Sequence, residues 1–126
     1  MRKATILDHR IHYNVMDGCA IVRPEGACDA KVTAALGKLV NSSLLESKNL
    51  VLDLSRCAYV ESPGYRWLVR QLRQLESSGR ELVIAGMPPA IARVFKLLKF
   101  DKMIPTAKDV SSALASLHSK KEHAAV

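Results

Sequence analysis

The chain has 126 residues, 48% of them hydrophobic and 25% charged, with a formal net charge of +7. That size and balance fit one soluble globular domain, and with only 5% aromatic residues its core must be aliphatic. No apolar run approaches the roughly 20 residues that span a bilayer, and the basic start Met1-Arg2-Lys3 leads into no long apolar segment, so neither a transmembrane segment nor a secretory signal is expected.

In chain order, Ile11–Asp17 alternates apolar and polar residues as a half-buried strand does, Asp17-Gly18 is a turn signal, and Cys19–Pro24 reads as the second strand of a hairpin. Pro24-Glu25-Gly26 then breaks the strand. Asp29 can cap a helix over about 30–46, with Val32, Leu36, Leu39, Val40 and Ser43 on one side and Ser47-Lys48-Asn49 closing it. Leu50–Leu54 is a short apolar run, as expected for a strand covered on both faces. A helix follows Ser62 as far as Ser78, where Gly79 stops it. Its apolar face is Tyr65, Leu68, Val69, Leu72 and Leu75. Arg66, Arg70 and Arg73 form a separate stripe, and Trp67 projects away from the apolar centre.

Glu81–Gly86 reads as another buried strand, and Ile91, Val94, Phe95 and Leu98 as an amphipathic helix. Met103-Ile104-Pro105 is expected as a short edge strand, where proline is tolerated. Asp109 can cap a last helix carrying Val110, Ala113, Leu114 and Leu117. The order is β-β-α-β-α-β-α-(β)-α, which implies a single α/β domain with a mixed sheet of four to five strands and about four helices. The expected divisions are an extension over 1–8, the domain over 9–118 and a fraying tail over 119–126.

Several chemistries find no support. Cys19, Cys28 and Cys57 are scattered, without a Cys-x-x-Cys pair, and the histidines do not cluster, so no metal site is expected. The three thiols read as small buried apolar groups in a reducing compartment. No Walker-type phosphate loop and no Gly-x-Ser-x-Gly elbow is present, and no cofactor or catalytic residue is assigned. Asp53, near a strand end, reads as a hydrogen-bond acceptor for local amides rather than a phosphate acceptor, and Cys57 as a small residue after the strand. The positive charge favours acidic partners, but it is spread along the chain without an arginine-rich arm, which argues against nucleic acid.

The informative stretch is Tyr59-Val60-Glu61-Ser62-Pro63-Gly64, where the central strand gives way to a helix. Ser62 at the N-cap followed by Pro63 at the first helical position is a common helix start. A phosphate on Ser62 would meet the helix's positive end. Arg66, Trp67 and Arg70, on the turns that follow, are interface candidates, because Trp and Arg are frequent interface anchors. An exposed Trp67 would give a Trp67→Ala variant with weaker partner binding and nearly unchanged stability.

Val51–Ser55, Val60–Gly64, Leu82–Gly86 with its proline turn, and Leu97–Pro105 followed by Asp109-Val110 and Ala113-Leu114 together resemble the STAS domain family, over residues 9–118. Members of the anti-sigma factor antagonist type carry Asp-Ser-Ser/Thr-Gly at this junction, and the serine after the Asp is phosphorylated by a kinase that is also the anti-sigma factor. The resemblance places Ser62 at the phosphoacceptor and Gly64 at the glycine, while Glu61 replaces the Asp and Pro63 the second hydroxyl residue. It implies a non-catalytic cytoplasmic regulator that binds an anti-sigma serine kinase, is switched off at Ser62 and is reset by a phosphatase. Glu61, Pro63, Gly64, Arg66, Trp67 and Arg70 would then form the partner surface, and a homodimer is a further option. The alternative within the family is an accessory subunit of a lipid-transport ABC system, bound to its ATPase.

Overall fold

The computed structural model describes residues 2–6, 9–42, 45 and 48–124, with side chains through His118. The elements in chain order are β1 (Arg2–Ile6), β2 (His9–Met16), β3 (Cys19–Arg23), β4 (Gly26–Cys28), α1 (Ala30–Val40), β5 (Asn49–Asp53), β6 (Cys57–Val60), α2 (Ser62–Ser77), β7 (Leu82–Ala85), α3 (Pro89–Leu97), β8 (Thr106–Ala107) and α4 (Val110–Ala124). A single 3-10 turn, Phe100–Lys102, lies between α3 and β8.

A six-stranded sheet runs in the order β1-β2-β3-β5-β7-β8. The first three strands are antiparallel, and β3, β5, β7 and β8 are parallel. The class is the expected mixed α/β one, with more strands. Asp17 and Gly18, at φ 52° and 77°, make the two-residue turn between β2 and β3. Positive φ at both positions gives the turn the twist of the strands it joins. Arg2–Ile6, expected as part of an extension, pairs with β2 along its full length. At the other edge, the short strand is Thr106–Ala107 rather than Met103–Pro105. Ile104 is instead an anchor, 1% exposed in the core.

Strand alternation divides the core in two. Val22, Leu50, Leu52, Leu82 and Ile84 face α1, α2 and α3, together with Leu36, Leu39, Leu68, Leu75, Ile91 and Phe95. Ile21, Val51, Val83 and Ala85 face the opposite way, where Ala113 and Leu117 of α4 cover them. The unbroken apolar run Leu50–Leu54 is thus required by a strand buried on both faces.

Two caps match the sequence reading. Val32 N–H donates to Asp29 Oδ1 at 3.0 Å and Ser112 N–H to Asp109 Oδ1 at 2.8 Å. Helix α1 ends at Val40 rather than near residue 46, with Asn41 as its C-cap. Ser43 and Ser47, expected on and after that helix, lie outside the described residues. Helical backbone of α4 runs to Ala124 through much of the segment expected as a tail.

Candidate functional site

The chain leaves β5 through Asp53, which is buried and whose Oδ1 accepts from Ser55 N–H at 3.0 Å. This is the local-amide role expected from its position. The next strand, β6, does not join the main sheet. It pairs in parallel with β4, with a register shift between Gly26 and Ala27. This small ladder is the seat of α2. Glu61 N–H donates to Cys28 O at 3.1 Å, and the Glu61 carbonyl accepts from Gly64 N–H at 2.8 Å and Tyr65 N–H at 3.3 Å.

The first turn of α2 lies hard against that seat. A Cβ on Gly64 would stand 2.7 Å from Val60 Cγ1, 3.1 Å from Cys28 O and 3.3 Å from Cys28 Sγ. A side chain at this position would force its neighbours to shift before the helix could start there.

Ser62 is not the cap. Glu61 holds the N-cap position, with extended backbone at φ −91° and ψ 167° and no side-chain capping bond, and Ser62 is the first helical residue. The reason is that the Glu61 carbonyl takes the N–H groups of Gly64 and Tyr65, which shifts the start one residue N-terminal of the Ser-Pro signature. Ser62 is exposed, and its hydroxyl makes no hydrogen bond among the described residues. It is therefore free for chemistry that a capping hydroxyl would resist. Glu61 is also exposed and Pro63 half-buried. Arg66, Arg70 and Arg73, all exposed, follow Ser62 within a sector of roughly 80° around the helix.

Trp67 contradicts its expected place. It is 5% exposed and belongs to the core. The helical wheel failed because α2 buries two adjoining faces. Leu68, Leu72 and Leu75 pack into the main core, while Trp67 and the buried Gln71 turn toward α1. Trp67 Nε1 lies 3.3 Å from where a Cβ on Gly37 would sit. The indole N–H is fully buried without a hydrogen-bond partner among the described residues. Trp67 thus floors, rather than presents, a groove of about 890 Å³ between α1 and α2, edged by Arg66, Arg70 and Gln74.

An aromatic cluster ties the start of α2 to α3. Tyr65 lies 5.6 Å from Phe95 and stacks on Phe100 at 5.6 Å, and Phe95 meets Phe100 edge-on at 5.8 Å. Burial pushes the Tyr65 phenol above its ordinary pKa. Beyond this cluster, Tyr59, Leu97, Leu98 and Met103 are exposed apolar residues, with Leu97 at 75%. Leu98 was expected on the buried face of α3, but that face is only Ile91 and Phe95. Leu98 was not read as a surface residue because an apolar residue at helical spacing normally signals core.

Cys28, whose Sγ lies against Gly64 at the α2 start, and Cys57 are both buried in the same core cluster. The hydrogen bond between their side chains pushes the Cys28 thiol up, with burial adding to it. The same bond lowers the Cys57 thiol, against the opposing effect of burial, and the Cys28 backbone assists. Cys57 Sγ also contacts Tyr59 O at 3.4 Å.

Comparison with known proteins gives concordant matches. The family model described as the STAS domain matches residues 10–113. BtrV of Bordetella bronchiseptica, a candidate anti-sigma factor antagonist, is 29% identical over 101 residues, spanning 70% of this chain and 87% of its own. A candidate anti-sigma factor antagonist from Thermotoga maritima superposes with a TM-score of 0.79 at 21% identity, over 86% of this chain and 94% of its own. The Bacillus cell fate determinant SpoIIAA, in its phosphorylated form, superposes with a TM-score of 0.66 at 14% identity, over 85% and 98%.

Proposed function

The chain belongs to the STAS domain family, and on that premise we propose that it is an anti-sigma factor antagonist whose partner binding is switched by phosphorylation of Ser62. The observation that carries the reading is the Ser62 hydroxyl, exposed on the first turn of α2 and engaged in no hydrogen bond among the described residues. A kinase can reach it without breaking an internal contact.

Unphosphorylated, the protein binds a kinase-type anti-sigma factor through the α2 start, with Glu61, Pro63, Arg66 and Arg70 on the contact surface. Gly64 and Trp67 act from below, as the seat and the support of that surface. The exposed apolar residues Tyr59, Leu97, Leu98 and Met103 supply area of the kind that binding surfaces use. Phosphorylation adds a charge of about −1.5 to −2. The positive end of α2 tolerates that charge, so the fold persists and the effect falls on the partner surface. A phosphatase resets the switch. The naming of BtrV and the phosphorylated form of SpoIIAA favour this branch of the family over an ABC-transporter accessory role.

The test is incubation with the cognate kinase-type anti-sigma factor and ATP, followed by phosphopeptide mapping. Phosphate is expected on Ser62 and is expected to vanish in Ser62→Ala. Because Ser62 caps nothing, that variant should keep its stability within about 0.5 kcal/mol, so a missing phosphate reports a missing acceptor. Undiminished phosphorylation of Ser62→Ala contradicts the assignment.

A further inference from the structure

The groove between α1 and α2 carries chemistry that the Ser62 switch does not use. Its floor is Trp67, and its α1 wall is low, with Ala30, Ala34 and Gly37 along it and no charged group. The charges stand on α2. Arg66 and Arg70 are exposed and have no ion pair among the described residues, and no acidic residue is among those that line the groove. Deeper in, Gln71 is only 4% exposed, yet its carboxamide has no hydrogen-bond partner among the described residues. The amide atoms are not fully enclosed, so the access they keep opens on the groove that Gln71 lines. We propose that this groove binds a long-chain carboxylate, its chain laid over Trp67 and its carboxylate held by Arg66, Arg70 and Gln71.

Size and shape favour a chain. The volume of about 890 Å³ falls within the range of small-molecule sites, roughly 300–1,000 Å³. Both walls run for about three turns of helix, on the order of 16 Å. The trough is lowest at Gly37, where even a Cβ would stand 3.3 Å from Trp67 Nε1. An extended acyl chain is thin and apolar on every side, as that trough requires.

Charge favours an anion at one point of that chain. Arg66 and Arg70 are four residues apart and so neighbour each other on one face of α2. Their planar forks can converge on a single carboxylate. Gln71, next to Arg70 and nearer the floor, donates an amide N–H to the same group, which satisfies a nearly buried polar side chain. A neutral chain would leave the two arginines unanswered. A small anion without a chain would leave the apolar floor wet. The same two arginines belong to the proposed partner surface, so a bound carboxylate would occupy part of it. The inference does not depend on phosphorylation of Ser62, and its test needs neither kinase nor partner.

Trp67 is the only tryptophan of the chain, so its fluorescence reports on the groove directly. The full chain is titrated with dodecanoate below its micelle concentration, and calorimetry gives the stoichiometry. A saturable change at one ligand per chain is expected. Dodecanol, which has the chain without the charge, should bind about tenfold more weakly, the scale of one lost charge-assisted hydrogen bond. Acetate, which has the charge without the chain, should give no saturable change. The double variant Arg66→Gln, Arg70→Gln should bind dodecanoate no better than dodecanol. Ala34→Phe fills the trough from an exposed position on α1, so it should keep the parent's unfolding temperature and lose both ligands. No saturable binding of dodecanoate, equal affinity for dodecanoate and dodecanol, or dodecanoate binding that survives Ala34→Phe overturns the proposal.

Discussion

Trp67→Ala is expected to destabilise the protein by about 3–5 kcal/mol, the cost of truncating a large buried aromatic side chain. The indole is 5% exposed and fills the junction of α1 and α2, with Nε1 against Gly37. Its removal leaves a cavity that two helices anchored to a common sheet cannot close. No hydrogen bond is lost with it, since the indole N–H has no partner among the described residues. That gives a second, discriminating expectation. Trp67→Phe keeps most of the apolar volume and removes an unsatisfied buried donor, so it should cost much less than the alanine variant. Urea denaturation of the three proteins at equal m-value measures both differences. A Trp67→Ala variant as stable as the parent, but impaired in partner binding, would restore Trp67 to the surface role that its helical position suggested.

Gly64→Ala is expected to lower stability by about 1–3 kcal/mol, the range for forcing extra volume into a packed site. Helix propensity alone predicts the opposite sign, because alanine is favoured over glycine inside helices by about 1 kcal/mol. The contacts decide. The added methyl would stand 2.7 Å from Val60 Cγ1 and 3.1 Å from the backbone oxygen of Cys28. The side chain can yield, but the carbonyl cannot, because it already receives Glu61 N–H. Pairing Gly64→Ala with Val60→Ala removes the closest clash and should recover part of the loss beyond additivity. Chemical denaturation of the four proteins of that cycle reads the coupling. A stabilised Gly64→Ala would show that α2 does not press on its seat.

The elements built from long periodic stretches were legible in the sequence. Leu50–Leu54, Glu81–Gly86 and the Asp-capped helices were found because burial on both faces, or on one stripe, leaves a run that composition alone reveals. The site was legible only as a location. Ser62-Pro63 marks a helix start, but the residue that holds the cap position is Glu61, which acts through its backbone carbonyl and leaves no side-chain signature. The seat was missed altogether. Gly26–Cys28 is three residues after a proline, and Cys57–Val60 has the burial pattern of one buried residue, two exposed and one intermediate, so neither alternates as a strand of the main sheet does. Their pairing is a tertiary fact. Trp67 was misplaced for a related reason: a helix covered by both a sheet and a neighbouring helix has a buried arc wider than one stripe, and its centre cannot be found from its own residues. Leu98 failed in the other sense, being apolar at core spacing yet exposed.

These corrections sharpen what Ser62 is. Its hydroxyl stabilises nothing in the fold, while Gly64, Cys28 and Trp67 hold the helix that presents it. The most direct test is calorimetric titration of the cognate kinase-type anti-sigma factor with the protein in two forms, unphosphorylated and phosphorylated on Ser62. The added charge should weaken binding on the order of a hundredfold, the scale of a like charge forced into an interface, while both forms unfold at similar temperatures. Equal affinities for the two forms would contradict the account.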